Sequence, residues 1–188
     1  AALLEASGRK AAKGCRGAPA MIGENPRVKS RIRPATRFDA SLLAALHKAC
    51  FDSAGRETWD ESAMAQFIAG PSTVTLVATI STNDAHPIGF IIARKAADEA
   101  ELLTIGVLAN YRDIGIGGSL LRQAMLDLKA AGARALYLEV DESNHPALAL
   151  YRRYGASVVG SRPGYYENGS NAAILQVDLK SCPDGPSI

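Results

Sequence analysis

Tyr111-Arg112-Asp113-Ile114-Gly115-Ile116-Gly117-Gly118-Ser119 lies between an apolar β-branched run and a long helical pattern. Glycines in such a turn let backbone approach a ligand, and the first N–H groups of the following helix are open donors at its positive end. The chemistry this suits is a pyrophosphate cradle, with Arg112 just ahead, where a guanidinium can reach a phosphate. The alternative is a tight strand-to-helix turn with no ligand. The spacing is not a P-loop, which needs Gly-Lys-Ser/Thr, nor is it G-x-G-x-x-G. Other reactive residue types are scattered. Cys15, Cys50 and Cys182 form neither a disulfide framework nor a metal knuckle, which points to a reducing, cytoplasmic setting. His47 and Cys50 share helical i, i+3 spacing but lack a third ligand, so they read as a packed or solvated pair and no metal is expected.

The elements that must position the turn follow from periodicity. Residues 28–33 alternate like an edge strand and stop at Pro34. Asp39 can cap a helix with Leu42, Leu43, Leu46, Ala49 and Cys50 on one side. A second helix fits residues 60–69, with Met64, Phe67 and Ile68 inward and Gly70-Pro71 as its stop. Strands fit 73–80, 88–93 and 101–108, with Ser81–Asp84 as a turn. Residues 115–131 carry Leu120, Leu121, Ala124, Met125 and Leu128 at helical spacing, closed by Gly132. Strand 135–140, helix 146–154 and strands 157–160 and 173–179 complete an α/β (α+β) domain with a mixed sheet.

A length of 188 residues suits one domain. Hydrophobic residues make up 47%, which excludes a wholly disordered chain, and no apolar run is long enough for a membrane helix. Charge is uneven. Residues 1–37 hold nine basic side chains against two acidic ones, and the remainder holds twelve against seventeen. Residues 1–28 read as a disordered basic extension. They suit a transit peptide, a nucleic-acid-binding arm, or an upstream stretch ahead of a working start at Met21. Residues 29–180 form the domain and 181–188 a flexible tail.

Arg112-x-x-Gly115-x-Gly117, with the strand before and the helix after it, resembles the acetyl-CoA loop of the GNAT N-acetyltransferases. Residues 138–155 (LEVDESNHPALALYRRYG) resemble a second stretch typical of the RimI branch, the ribosomal-protein-alanine N-acetyltransferases. Arg162 with Tyr165-Tyr166 resembles that branch's tail. The likeness spans about residues 29–180. It implies a single GNAT-like domain, with a mixed, mostly antiparallel sheet, splayed central strands and flanking helices. It also implies direct acetyl transfer from acetyl-CoA to a protein's N-terminal α-amine, such as a ribosomal protein's. The alternatives are a small-molecule amine or antibiotic acetyltransferase and a non-catalytic acyl-CoA-binding module. A monomer or weak dimer is expected, with no membrane or direct nucleic-acid partner.

The resemblance also assigns roles. Glu139 lies on the polar side of its strand with Tyr137 and Asp141, where a solvated carboxylate is the ordinary outcome; the family implies a general base acting through water. Tyr151 shares a face with Ala147, Leu148 and Tyr154, as a core aromatic would; the family implies a general acid facing the thioester sulfur. Asn144 suits a helix cap ahead of Pro146 and, by resemblance, also contacts the pantetheine arm. Donor binding is expected from Ile105, Val107, Arg112, Asp113, Ile114, Gly115, Ile116, Gly117, Gly118, Ser119, Asn144 and Tyr151, with oxyanion donors near Val107. Tyr165 and Tyr166 either line the acceptor groove or are half-buried edge aromatics. Ala156, Asp141 and Asn171 depart from the family pattern, and the last two leave the acceptor open. Asn168-Gly169-Ser170 matches a glycosylation sequon and reads as a hairpin turn.

Overall fold

The computed structural model describes residues 30–51, 58–80, 83–166 and 169–181. The basic extension 1–28, Cys15, Cys182 and Asn168 of the sequon lie outside them. Seven strands form one sheet in the order β1-β2-β3-β4-β5-β7-β6: β1 Ser30–Pro34, β2 Thr73–Ile80, β3 Asn83–Ala96, β4 Glu99–Val107, β5 Ala135–Asp141, β6 Ser157–Arg162 and β7 Ala172–Asp178. Neighbours are antiparallel except β4 and β5. The helices are α1 Ala40–Phe51, α2 Glu61–Ala69, α3 Ile116–Ala130 and α4 His145–Arg153. Among the described residues no helix is long and apolar enough to cross a membrane.

Two apolar clusters form, one on each face of the sheet. Leu120, Leu121, Met125 and Leu128 of α3 pack on Leu102, Ile105, Leu136 and Leu138, as their helical and strand periods require. Opposite them, Leu43, Leu46 and Phe51 of α1 and Met64 of α2 pack on Val77, Phe90 and Ile92. The α1 face is rotated from the expected one. Leu43, Leu46, His47 and Cys50 are buried, whereas Leu42 is 41% exposed and Ala49 points outward.

Asp39 does not cap α1. A short 3-10 turn, Arg37–Asp39, precedes that helix. The buried Asp39 carboxylate takes two 2.8 Å bonds from Arg33 and one of 2.7 Å from the Thr36 N–H. Hydrogen bonding from Arg33, against the cost of burial, holds its pKa down to about 2. The contact ties the start of α1 to edge strand β1. Of the turn expected at 81–84, Ser81 and Thr82 lie outside the described residues, while Asn83 and Asp84 belong to β3, whose pairing with β2 shifts register around Thr79. His47 and Cys50 are both core residues. The His47 ring stacks on Trp59 at 5.0 Å, and burial lowers its pKa to about 4.

Candidate active site

Parallel strands β4 and β5 pair only at Glu99, Ala100 and Glu101, opposite Ala135, Leu136 and Tyr137. Beyond those residues the two strands part, although each stays paired on its other edge. A bulge accompanies the parting. Ile92 and Ala93 of β3 oppose Thr104 and Leu102, leaving Leu103 as the extra residue. The bulge resets the alternation, so Ala100, Leu102, Ile105 and Val107 all join the α3 cluster while Leu103 packs on the α1–α2 side. The Leu108 N–H donates to Ile88 of β3 at 2.9 Å. Strand alternation therefore turns the N–H and C=O of Val107 toward the gap. Arg112 Nε donates to that Val107 carbonyl at 3.0 Å, committing part of its guanidinium to holding the turn against β4.

The glycine turn follows immediately. Asp113 has φ 63° and Gly115 φ 91°, and Asp113, Ile114 and Gly115 are exposed. No side chain caps α3 at Gly115. Because the opening N–H groups of a helix lack intrahelical partners, those of Ile116, Gly117 and Gly118 stand as a row of donors there. A Cβ on Gly118 would come within 2.7 Å of the Tyr154 hydroxyl, so this glycine lets α3 close onto the chain following α4.

Asn144 caps α4, its Oδ1 accepting from the Ala147 N–H at 3.2 Å, as expected. Tyr151 on α4 is fully buried, and its hydroxyl has no hydrogen-bond partner. An unpartnered buried hydroxyl is costly and calls for an occupant or a function. Burial first, then the neighbouring Tyr166 hydroxyl, push the Tyr151 pKa far above the ordinary tyrosine range. Tyr151 belongs to the α3-side cluster and Tyr166 packs on the α1–α2 side, so the pair meets across the sheet.

Glu139 stands on the face of the sheet away from α3. It is not a freely solvated carboxylate: its side chain is 18% exposed and is ion-paired with Arg162 Nε at 2.8 Å. Arg162 also lies over the Tyr165 ring at 5.6 Å, and the Tyr165 and Tyr166 rings meet edge to face at 5.2 Å. Tyr165 is 46% exposed and Tyr166 half-buried. Glu139 closes a cleft of 320 Å³ walled also by Arg94, Glu101, Tyr137, Arg162 and Ile174. Tyr151 and Tyr166 are not among its walls. Tyr137 could have been anticipated, since it alternates in phase with Glu139; Arg94 and Glu101 could not, because the bulge breaks the phase of β4. Among the described residues, no group of three or more His, Cys, Asp or Glu is placed to hold a metal ion.

A donor with anionic phosphates and a thioester fits this arrangement, with uncapped donors opening α3 and an orphaned buried hydroxyl on α4. The model of the Acetyltransferase (GNAT) family matches residues 41–156. This chain belongs to the GNAT family. The N-alpha-acetyltransferase RimI of Mycobacterium tuberculosis is 35% identical over 145 residues, 76% of this GNAT chain and 89% of the relative. The [ribosomal protein bS18]-alanine N-acetyltransferase of Haemophilus influenzae is 41% identical over 92 residues, 47% of this chain. The chain spans 62% of that relative's length and 64% of a Bacillus subtilis relative's. Among solved structures, the ribosomal-protein-S18-alanine N-acetyltransferase of Escherichia coli superposes with a TM-score of 0.70 at 24% identity, covering 85% of this chain and all of that one. That likeness establishes a shared GNAT fold.

Proposed function

We propose that this GNAT domain is an acetyl-CoA-dependent N-acetyltransferase whose acceptor is the N-terminal α-amine of a protein, in the first instance a ribosomal protein. The observation that carries the chemistry is the buried, unpartnered Tyr151 hydroxyl on α4. The RimI relatives support the α-amine acceptor. A cytoplasmic location follows from a ribosomal substrate.

The backbone donors of Ile116, Gly117 and Gly118 hold the donor's phosphates, with Arg112 bracing the loop. Ile105, Val107 and Asn144 flank the remainder of the donor, while Asp113, Ile114 and Ile116 shape the turn. Acetyl-CoA, when bound, supplies an acetyl group activated as a thioester. Glu139 accepts the proton that the acceptor's ammonium must lose, since only a neutral amine carries the attacking lone pair. Arg162, 56% exposed against 18% for Glu139, can swing outward to admit that ammonium. The Val107 N–H, turned into the gap, offers a fixed donor to negative charge developing on the carbonyl oxygen. Burial keeps Tyr151 protonated; as the C–N bond forms and the C–S bond breaks, its hydroxyl gives a proton to the departing sulfur and takes back the one that the attacking nitrogen sheds. Tyr165 and Tyr166 border the acceptor. Cys50 is 2% exposed in the core and takes no part.

The test is incubation with acetyl-CoA and a panel of peptides with free amino termini, read by mass, beside a panel of small amines. Gain of one acetyl group on peptides starting with Ala or Ser is expected. Acetylation of small amines alone would overturn the α-amine acceptor, and no acetylation of any amine would overturn the enzyme reading.

A further inference from the structure

Residues 163–171 join β6 to β7 and carry Tyr165 and Tyr166, so whatever holds this loop sets where the two rings stand. Internally, Tyr166 N–H donates to the Ser170 carbonyl at 3.1 Å and Gly169 N–H to that of Tyr166 at 2.8 Å. The loop's outside support comes from the end of β5. Asp141 is a charged residue only 5% exposed. Its Oδ1 accepts from the Ser143 N–H at 2.8 Å and the Ser143 hydroxyl at 2.7 Å. Its Oδ2 accepts from the Ser170 hydroxyl, 29 residues further along, at 2.7 Å. Glu142 reinforces the attachment. Its N–H donates to the Asn171 carbonyl at 3.0 Å, and its carboxylate accepts from Asn171 Nδ2 and the Ser161 hydroxyl, each at 3.1 Å. Asn171 Oδ1 in turn accepts from the Gly164 N–H at 3.0 Å.

A carboxylate is buried at a cost unless its oxygens are filled, and short hydroxyl-to-carboxylate bonds are among the strong ones. Two of the Asp141 donors are local to its own turn. The Ser170 hydroxyl ties Oδ2 to the loop. The loop serves the acceptor side of the sheet: Arg162, paired to Glu139, lies over Tyr165, and Tyr166 packs with the α1–α2 cluster, on the face opposite α3.

We propose that Asp141 and Ser170 are positioning residues: their hydrogen bond fixes the Tyr165–Tyr166 loop and so sets affinity for the acceptor without altering affinity for the donor. This rests on the acetyltransferase reading above. The decisive variants are Ser170→Ala, which removes the donor, Ser170→Thr, which keeps it, and Asp141→Asn, which replaces one carboxylate oxygen by an amide.

Ser170→Ala is expected to raise KM for a free-N-terminus peptide about tenfold, the usual scale for losing one charge-assisted hydrogen bond, with KM for acetyl-CoA unchanged. Ser170→Thr should restore the wild-type value. Hydrogen exchange of the Tyr166 and Gly169 amides should quicken in Ser170→Ala and not in Ser170→Thr. Should Asp141→Asn fail to fold, the two Ser170 variants decide. Unchanged loop exchange in Ser170→Ala would overturn the anchoring, whether or not the protein is an acetyltransferase. Quickened exchange with an unchanged peptide KM, or an equal rise in both KM values, would overturn the role in acceptor affinity. A wild-type protein that acetylates nothing would instead sink the function, and the acceptor role with it, while loop exchange still judges the anchor.

Discussion

Under the proposed function, Tyr151 ties stability and activity to one atom. Its hydroxyl is buried without a partner, a cost on the order of 1–3 kcal/mol. Tyr151→Phe removes only that oxygen. The variant is therefore expected to resist urea better than the wild type by about 1 kcal/mol while losing acetyl transfer, the trade expected where a strained group serves function. Paired urea titrations and initial rates check it; a less stable Tyr151→Phe would mean the hydroxyl is satisfied. Glu139→Gln keeps shape but accepts no proton. A drop in kcat of about 10²- to 10⁴-fold is expected, with the fold intact by circular dichroism. Neither residue could be assigned from spacing alone. Glu139 looks like any strand carboxylate until Arg162 meets it, and Tyr151 looks like any core aromatic until its hydroxyl is found unpaired.

At the scale of elements, the glycine turn was the most legible part of the site, because backbone conformation there is written in residue type. Gly115 at φ 91° lies where a side chain costs about 1–2 kcal/mol. Gly115→Ala should lower stability by that amount and raise KM for acetyl-CoA more than KM for the peptide, as steady-state kinetics with each substrate varied will show. The packing glycines were hidden. A Cβ on Gly106 would meet the Phe90 ring at 2.6 Å and the Cys50 sulfur at 3.1 Å. Gly106→Ala should then destabilise by about 1–3 kcal/mol in thermal melts, as overpacked cores do. The rotated face of α1 has a similar cause. Leu42 and Leu43 are equivalent to a periodicity count, and only the position of the sheet selects Leu43.

For the whole molecule, the two clusters share a sheet, so acid acting on one should unfold both. His47 titrates at about 4 in the fold instead of 6.5, because burial disfavours its charge. Its contribution is fully present above pH 6.5, declines as the unfolded chain takes up a proton, and is lost once pH falls through 4. At about 1.4 kcal/mol per unit, that is roughly 3 kcal/mol. Asp39, held at about 2 rather than 3.8, adds a later loss over that lower interval. Urea midpoints followed from pH 7 to 4 should fall, and His47→Leu should flatten that limb. A slope unchanged in His47→Leu would assign it elsewhere.

From the sequence alone came the order of strands and helices, the mixed α/β class, the glycine turn and the cap at Asn144. All are local matters, set by 2.0 and 3.6 periodicity, turn residues and capping chemistry between near neighbours. Only the tertiary structure decided how far β4 and β5 pair before parting, which way the β4 bulge throws its side chains, and that Arg162 meets Glu139. It also brought Asp141 to Ser170 and Glu142 to Asn171, so two residues that depart separately from the family pattern prove to hold one loop. These contacts join residues up to 29 positions apart, and no propensity or spacing rule reaches across such a separation. The glycine turn was readable because one short segment builds it. The cleft at Glu139 was not, because it is assembled from β3, β4, β5, β6 and β7.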